Sequence, residues 1–269
     1  MDVASALGIY LDSVDSCAPG LVEGLYVVGS FALDDWIEGT SDIDVVAVTA
    51  DPVTDDDFAH LLTAHALLAE VPGLPAVEGP YLAWGDLVTP PSGLHRPWAG
   101  DGRLRHDGDC FDINPLTWFV LAEHGVTVRG PTPDRLGIVL DIDERVRFAI
   151  DNLIGYWRPL ARDVRDACRR TPASAETEEA FDDDSFVWCA LGALRLHRTA
   201  FRGDVVSATG AGLHGLEVAD AVHHDVISLG LEVRAAGTSG TSIPLEAMAA
   251  TADLIDWCVD SAEQAWLGH

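Results

Sequence analysis

The chain has 269 residues, of which 48% are hydrophobic, and a formal net charge of −28 at pH 7. This apolar content suffices for a large core and excludes a disordered chain, and the acidic balance disfavours a nucleic-acid substrate, whose phosphates need a basic surface. All 16 basic residues are arginine, and the lack of lysine excludes a Walker A phosphate loop, a kinase-type strand lysine and a Schiff-base lysine.

Cysteine use and the N-terminal residues indicate the cell compartment. The five cysteines are scattered, odd in number and without metal-site spacing, so we interpret them as reduced thiols. The N-terminus lacks the basic region of a signal peptide, and no apolar run reaches the ~20 residues that a membrane helix needs. We therefore predict a cytoplasmic protein without a membrane or nucleic-acid partner. We also expect the chain to be a monomer or a weak homodimer.

The first part of the chain shows helical and strand patterns in turn, which predicts helices around a small mixed β-sheet. In chain order, we predict a helix over residues 3–14, a strand over 25–28, a short helix over 31–37, a strand over 43–46, a helix beginning at 55–57, a strand over 76–84, a loop over 89–109, a helix over 114–124 and a strand over 126–128. The three aspartates at 55–57 are interpreted as a first helical turn, where acidic residues are favourable, and not as metal ligands.

From residue 141 onward the pattern is helical. Four segments have helical periodicity between Pro-, Gly- and Ser-rich breaks, at residues 146–168, 186–201, 216–234 and 245–267. The predicted fold class is therefore α+β. An N-terminal domain over residues 1–135 holds the small mixed sheet, and an α-helical bundle domain covers residues 141–269, after a linker at 130–133.

Two short motifs in the first domain point to a chemistry. Gly29-Ser30 follows the first strand, and backbone N–H groups at the start of a helix suit a phosphate chain. After eleven intervening residues, Asp42 and Asp44 lie two positions apart on the second strand, so that their carboxylates point to one face. Such a pair is costly unless it is neutralised, and Mg²⁺ suits carboxylates that leave room for water and phosphate oxygens. The alternative is a β-hairpin with a solvated Asp-x-Asp edge.

A third carboxylate, Glu78, is the candidate general base. It lies in the third predicted strand, which we expect beside the strand that carries Asp42 and Asp44. A carboxylate at that place can take the proton of an attacking hydroxyl group. The alternative is a glutamate at a strand edge that faces solvent.

The Gly-Ser and Asp-x-Asp motifs resemble the signature of the DNA polymerase beta-type nucleotidyltransferases, which this chain carries as Val28-Gly29-Ser30 and Asp42-Ile43-Asp44-Val45. More of the chain is similar to one branch, the aminoglycoside adenylyltransferases of the streptomycin and spectinomycin type. The similar segments are residues 78–82, 112–131, 191–195 and 202–207. In that branch, a glutamate at the place of Glu78 acts as the base.

The resemblance implies an enzyme that binds ATP and Mg²⁺ in a cleft between its two domains. It implies transfer of AMP to a hydroxyl of a small, cationic acceptor such as an aminoglycoside, with release of pyrophosphate. Asp42 and Asp44 would hold the metal. The residues that the resemblance assigns to the nucleotide phosphates are Gly29, Ser30, Ser41 and, from the helical domain, Arg195.

The resemblance also implies acceptor-binding residues in the helical domain. Trp157 falls near an aromatic residue that packs against the aminoglycoside in the family. Asp182, Asp183 and Asp184 fall near a carboxylate that binds the amines of the drug. The alternatives are a core position for Trp157 and a helix N-cap for the acidic run.

Position 208 departs from the family pattern, because Ala208 stands where the family has a phosphate-binding lysine. Arg198, Arg202 or Arg234 could substitute for it; otherwise nucleotide affinity or turnover is reduced, or the substrate differs. Two other functions stay open, namely a non-catalytic nucleotide-binding regulatory module and an enzyme that adenylylates a protein. The intact carboxylates argue against the first, and the resemblance of the helical domain to a small-molecule lid argues against the second.

Overall fold

The computed structural model describes residues 1–88, 93–106, 110–170, 182–237 and 243–267. It divides into two compact units, Met1–Asp141 and Ile142–His269. The first unit combines a mixed sheet with helices and the second is helical, so the predicted fold class is confirmed. Within the described ranges, no helix combines the length and the apolar character needed to cross a bilayer.

The first unit is built on a six-stranded mixed sheet with the strand order β5-β4-β3-β2-β1-β6. Its strands are β1 (Val22–Val27), β2 (Ile43–Thr49), β3 (Val77–Ala83), β4 (Trp98–Gly100), β5 (Arg103–Arg105) and β6 (Val126–Arg129). Neighbouring strands are antiparallel except for β2 and β3, which are parallel. Because parallel neighbours need a crossover connection, the helix α3 (Asp55–Ala69) joins β2 to β3.

One face of this sheet forms the core of the first unit. The helices α1 (Val3–Cys17) and α3 pack on that face, against Ile43, Val45 and Ala47 of β2. Successive side chains alternate across a strand, so Asp44 lies on the opposite face. A capping box of Thr54 and Asp57 begins α3, as the acidic run at residues 55–57 predicted.

Two predictions for the first unit were wrong. The helix predicted over residues 31–37 is a single turn, α2 (Gly29–Ala32), because the backbone of Asp34 is left-handed with a φ of 55°. The loop predicted over residues 89–109 contains the hairpin of β4 and β5, while its residues 89–92 and 107–109 lie outside the described residues. The hairpin turn is Asp101-Gly102, a strong hairpin signal that the Pro- and Gly-rich surroundings obscured. The next helix, α4 (Pro115–His124), ends at Gly125 as predicted.

The second unit is a helical bundle around one long helix, α7 (Asp183–Arg202). This helix packs against α5 (Ile142–Asn152), α8 (Ala208–Val218), α9 (His224–Ala236) and α10 (Leu245–Leu267). Another helix, α6 (Arg158–Arg170), packs against α10. The predicted segment over residues 245–267 is confirmed by α10.

Of two long helices predicted in this unit, one is continuous with a π-helical turn inside it and the other is broken. The predicted helix over residues 146–168 is confirmed as one continuous helical run, in which the π-helical turn Leu153–Trp157 joins α5 to α6. Pro159, which has no N–H to donate, lies just after this turn. The segment 216–234 falls on α8 and α9. These helices are separated at Ala219 and Asp220, whose backbones are extended with ψ angles of 155° and 143°.

Candidate active site

Three carboxylates come together at one end of β2 and β3 in the first unit. Asp44 and Glu78 are partners in the parallel register, so their side chains stand side by side on one face of the sheet. Asp42, two residues before Asp44, is close enough to Glu78 for its negative charge to raise the pKa of Glu78. The structure therefore brings together the three side chains that the sequence analysis selected.

Glu78 occupies an internal strand, because β3 lies between β2 and β4. Its side chain is half-buried, and its pKa is raised by burial first and by the negative charge of Asp42 second. The backbone of Asp101 and Gly102 acts on this pKa in the opposite direction and lowers it. A raised pKa makes the carboxylate a better proton acceptor, which is the property a general base needs.

Gly29 packs directly against Asp44. Its backbone has a φ of +58°, and a Cβ built on it would lie 1.8 Å from Oδ2 of Asp44. The N–H of Val28 donates a hydrogen bond of 2.9 Å to the carbonyl oxygen of Asp44. Only glycine fits this approach, and the Gly-Ser motif and the Asp-x-Asp motif consequently form one continuous surface.

Ser30 lies in α2, and Ser41 lies in the segment that connects α2 to β2. The carbonyl oxygen of Ser30 accepts a hydrogen bond of 2.9 Å from the N–H of Asp35. The Oγ of Ser41 accepts one of 3.1 Å from the N–H of Ile37, and a serine hydroxyl that accepts in this way still has a hydrogen to donate. The phosphate contacts expected of both serines stay predictions.

The oxygen atoms of these carboxylates are the type of ligand that a divalent cation such as Mg²⁺ binds. Across the described part of the chain, no group of three or more His, Cys, Asp or Glu side chains is arranged to hold a metal ion. Mg²⁺, however, seldom uses an all-protein cage: it prefers one or two carboxylates and completes its shell with water and substrate phosphates. Asp42 and Asp44 provide that donor set beside Gly29, and they would hold the ion.

Residues 10–73 match the family model of the nucleotidyltransferase domain. This match supports a nucleotidyltransferase domain in the first unit. The matched stretch includes both the Gly29-Ser30 motif and the Asp42–Asp44 pair, while Glu78 lies shortly after its end. The superfamily expected from the resemblance is thus confirmed.

The whole chain is similar in fold to a solved structure, that of the spectinomycin adenyltransferase AAD(9) from Enterococcus faecialis with ATP and spectinomycin. The TM-score is 0.67, and the similarity covers 96% of this chain and 100% of that chain at 15% sequence identity. An identity this low shows a shared fold. The chain matches no curated protein by sequence. The nucleotidyltransferase domain and the shared fold together support an enzyme that transfers nucleotidyl groups.

In the helical unit, two arginines reach the segment that contains Ala208. The Nε of Arg195 on α7 donates a hydrogen bond of 3.2 Å to the carbonyl oxygen of Val206. The Nε of Arg234 on α9 donates one of 3.3 Å to Oγ1 of Thr209. The position at which the family has a lysine is therefore flanked by two guanidinium groups.

Trp157 is a core residue of the helical unit. Its side chain is 2% exposed, and its ring stacks on Trp188 with the ring centroids 5.2 Å apart. A Cβ on Gly192 would lie 2.3 Å from the same ring. This is the core position that the sequence analysis left open, and contact with an acceptor stays a prediction. Trp188, which is 45% exposed, presents the accessible side of the stacked pair.

The acidic run begins α7. The carboxylate of Asp182 is the N-cap, which accepts a hydrogen bond of 2.6 Å from the N–H of Ser185 and has a lowered pKa for that reason. Partial burial and the charges of Asp182 and Asp183 raise the pKa of Asp184. Asp182 is therefore a helix N-cap, which the sequence analysis gave as the alternative role of the acidic run. The binding of acceptor amines by Asp182 and Asp184 stays a prediction.

The sequence analysis missed one part of the site, the turn Asp101-Gly102. It lies in the segment assigned to a loop, although an Asp-Gly dipeptide after Trp98 and before Leu104 is a recognisable hairpin signal. The backbone of this turn is close enough to Glu78 to act on its pKa, which it lowers.

Proposed function

We propose that the chain transfers AMP from ATP to a hydroxyl of a small, cationic acceptor of the aminoglycoside class and releases pyrophosphate. The observation that carries the proposal is the convergence of Asp42, Asp44 and Glu78 beside Gly29-Ser30. The acceptor class is supported by the similar structure, which contains ATP and spectinomycin. The net charge of −28 also favours a cationic acceptor over a nucleic acid.

Each candidate site residue of the first unit has a defined part in this reaction. The acceptor oxygen forms a bond to the α-phosphorus of ATP, the bond from that phosphorus to the pyrophosphate oxygen breaks, and Glu78 takes the proton of the hydroxyl. A Mg²⁺ ion held by Asp42 and Asp44 would supply charge neutralisation at the phosphate oxygens. Backbone N–H groups of Gly29-Ser30 and the hydroxyl of Ser41 orient the phosphate chain.

Arg234 takes the part of the lysine that position 208 lacks. Its hydrogen bond to Thr209 places the guanidinium group one residue from Ala208. Arg198 is a weaker candidate, because Asp204 binds both its Nε and its Nη2, at 2.8 and 2.6 Å. We assign Arg234 to a phosphate of the nucleotide.

A second function, the regulatory module that binds ATP without catalysis, is favoured by one observation, the alanine at position 208. It differs from the enzyme in one measurable property. A module binds ATP and releases no pyrophosphate with any acceptor, whereas the enzyme releases pyrophosphate with its own acceptor.

The test is an assay of ATP- and Mg²⁺-dependent pyrophosphate release with spectinomycin, streptomycin and simple amino alcohols as acceptors. We expect release with at least one acceptor and, by mass spectrometry, addition of AMP to it. Glu78→Gln should lower turnover by ~10²–10⁴-fold, the contribution of a general base, with Mg-ATP binding nearly unchanged. Glu70→Gln, at the exposed end of α3, is the matched control and should keep full turnover. ATP binding without release in every assay would favour the regulatory module.

A further inference from the structure

The strand β3 contains a proline although it is an internal strand of the sheet. Pro80 is the partner of Trp98 on β4, and β2 lies on the other side of β3. Proline has no N–H to donate to a neighbouring strand, and within sheets it is largely confined to edge strands and bulges. A proline at this position therefore removes a hydrogen bond from the interior of the sheet.

The hydrogen bond that is removed belongs to the ladder between β2 and β3. The N–H of Ile43 donates a hydrogen bond of 2.8 Å to the carbonyl oxygen of Ala76. In a parallel ladder every second residue of a strand bonds to the same neighbour, so two residues further on the carbonyl oxygen of Val45 faces the nitrogen of Pro80. The pairing of the two strands is interrupted at Val45 and resumes at Ala47, which agrees with this phase.

Gly79 brings the two strands close together at this interruption. Its φ is +136°, which residues with a Cβ rarely adopt, and a Cβ built on it would overlap the carbonyl oxygen of Val45 and lie 2.9 Å from the carbonyl carbon. The hydrogen that glycine has in place of a Cβ therefore points at this oxygen. Weak Cα–H to carbonyl contacts of this kind recur between neighbouring strands. Gly79 thus occupies the gap that Pro80 leaves in the ladder.

The residue before Val45 is Asp44, and its surroundings are tightly packed on both sides of β2. Its carbonyl oxygen accepts a hydrogen bond of 2.9 Å from the N–H of Val28, which follows β1. Gly29 packs against its carboxylate, since a Cβ on Gly29 would lie 2.5 Å from Cγ of Asp44. On the β3 side, the contact between Val45 and Gly79 holds the next peptide group. Asp44 therefore lies between two glycine contacts, both made by residues with a positive φ.

We propose that Gly79 and Pro80 position Asp44 for the metal ion: the close approach of β3 to Val45 fixes the backbone of β2 next to that carboxylate. This inference rests on the proposed function, because it takes Asp44 as a ligand of Mg²⁺. Gly79 and Pro80 do not touch the ion in this scheme, and they act through the backbone of β2. Irregular strand pairing next to an active site commonly re-aims a side chain, and the sheet keeps this irregularity although it removes a ladder hydrogen bond.

Pro80→Ala is the most informative variant, because it separates stability from metal binding. The substitution supplies an N–H that can donate to the carbonyl oxygen of Val45, so β2 and β3 should pair regularly. The amide at position 80 should then be protected from hydrogen exchange in NMR spectra of the full chain. Pro52→Ala, in the exposed segment between β2 and α3, is the matched control for the loss of a proline from the unfolded chain. The melting temperature of Pro80→Ala should be no lower than that of Pro52→Ala.

Metal binding is measured with Mn²⁺ as the probe, by EPR spectroscopy of the full chain with a non-hydrolysable ATP analogue. The component of binding that is lost in Asp44→Asn identifies the specific site among the many surface carboxylates. Pro80→Ala and Gly79→Ala should each weaken this component by about 10- to 100-fold, the effect of changing residues that orient metal ligands. Pro52→Ala should bind Mn²⁺ like the wild type, and so should Gly20→Ala, which has a φ of +76° and no atom within 4 Å of its Cβ position.

The outcomes separate the two proposals. Wild-type Mn²⁺ affinity in Pro80→Ala, combined with weak binding in Asp44→Asn, would overturn the positioning inference alone. An unprotected amide at position 80 would also overturn it, because the ladder would then not be interrupted by the proline. Wild-type affinity in Asp44→Asn would overturn the metal-binding role of Asp44, and with it both the proposed mechanism and this inference. If Gly79→Ala does not fold, the result for Pro80→Ala decides.

Discussion

Replacing Gly29 by alanine tests whether the Gly-Ser and Asp-x-Asp motifs work as one site. The added Cβ would lie 1.8 Å from Oδ2 of Asp44 and 2.5 Å from its Cγ. Carbon atoms in contact are about 3.5 Å apart, so the carboxylate or the Gly29 backbone must move by roughly 1 Å or more. The φ of +58° adds strain of ~1–2 kcal/mol for any residue with a Cβ.

This displacement should affect function more than stability. A shift of ~1 Å at a catalytic group lowers turnover by about 10²-fold, and the affinity for Mg-ATP, measured by calorimetry, should fall as well. Denaturant unfolding should show a loss of ~1–2 kcal/mol from backbone strain. Gly20→Ala is the control, because Gly20 also has a positive φ, +76°, and no atom lies within 4 Å of its Cβ position.

The comparison of the two variants decides the outcome. Gly20→Ala should lose similar stability and keep both turnover and Mg-ATP affinity. If Gly29→Ala matches Gly20→Ala in turnover and affinity, the position of Asp44 is irrelevant to the reaction and the reasoning is refuted.

Three further predictions concern single side chains. Asp44→Asn keeps the shape and removes the charge, and pyrophosphate release should fall by ~10³-fold, the scale of lost electrostatic stabilisation; near-normal release would contradict a metal-binding role. Arg195→Ala should raise the dissociation constant for ATP, measured by calorimetry, by about tenfold or more, because a hydrogen bond from a charged group contributes ~1.5–3 kcal/mol; unchanged affinity would remove Arg195 from the nucleotide site. Burial lowers the pKa of His65 to about 4, and its Nε2 lies 2.7 Å from the hydroxyl of Tyr81. The neutral imidazole is therefore favoured in the folded state, and its contribution is complete above the ordinary pKa of 6.5 and is lost as the pH falls towards 4. The free energy of unfolding should drop by up to ~3 kcal/mol over this range, and a His65→Asn variant with the same pH dependence as the wild type would contradict the assignment.

Elements with long periodic patterns were predictable from the sequence, and short or interrupted ones were not. The helix α10 matches its predicted segment, because its apolar periodicity extends over six turns. The hairpin of β4 and β5 was missed, since three-residue strands carry too little pattern to stand out from a loop. The helix predicted over residues 146–168 is continuous, but its π-helical turn at Leu153–Trp157 was not predicted although Pro159 was visible, because tertiary packing decides how a helix accommodates a proline.

The sequence by itself determined the local part of the candidate site. Asp42 and Asp44 share one face because side chains alternate along any strand, and Gly29 stands at a turn that needs a positive φ. These properties depend only on the backbone geometry of neighbouring residues. A match to the nucleotidyltransferase domain over residues 10–73 agrees with them.

Only the tertiary structure decided which distant residues meet. Glu78 stands beside Asp44 because β2 and β3 pair in one parallel register, and a shift of one residue would turn Glu78 to the other face. The hydrogen bond from Arg234 to Thr209 likewise joins separate elements. Registers and helix contacts are set by burial of whole apolar faces, so no local sequence pattern contains them.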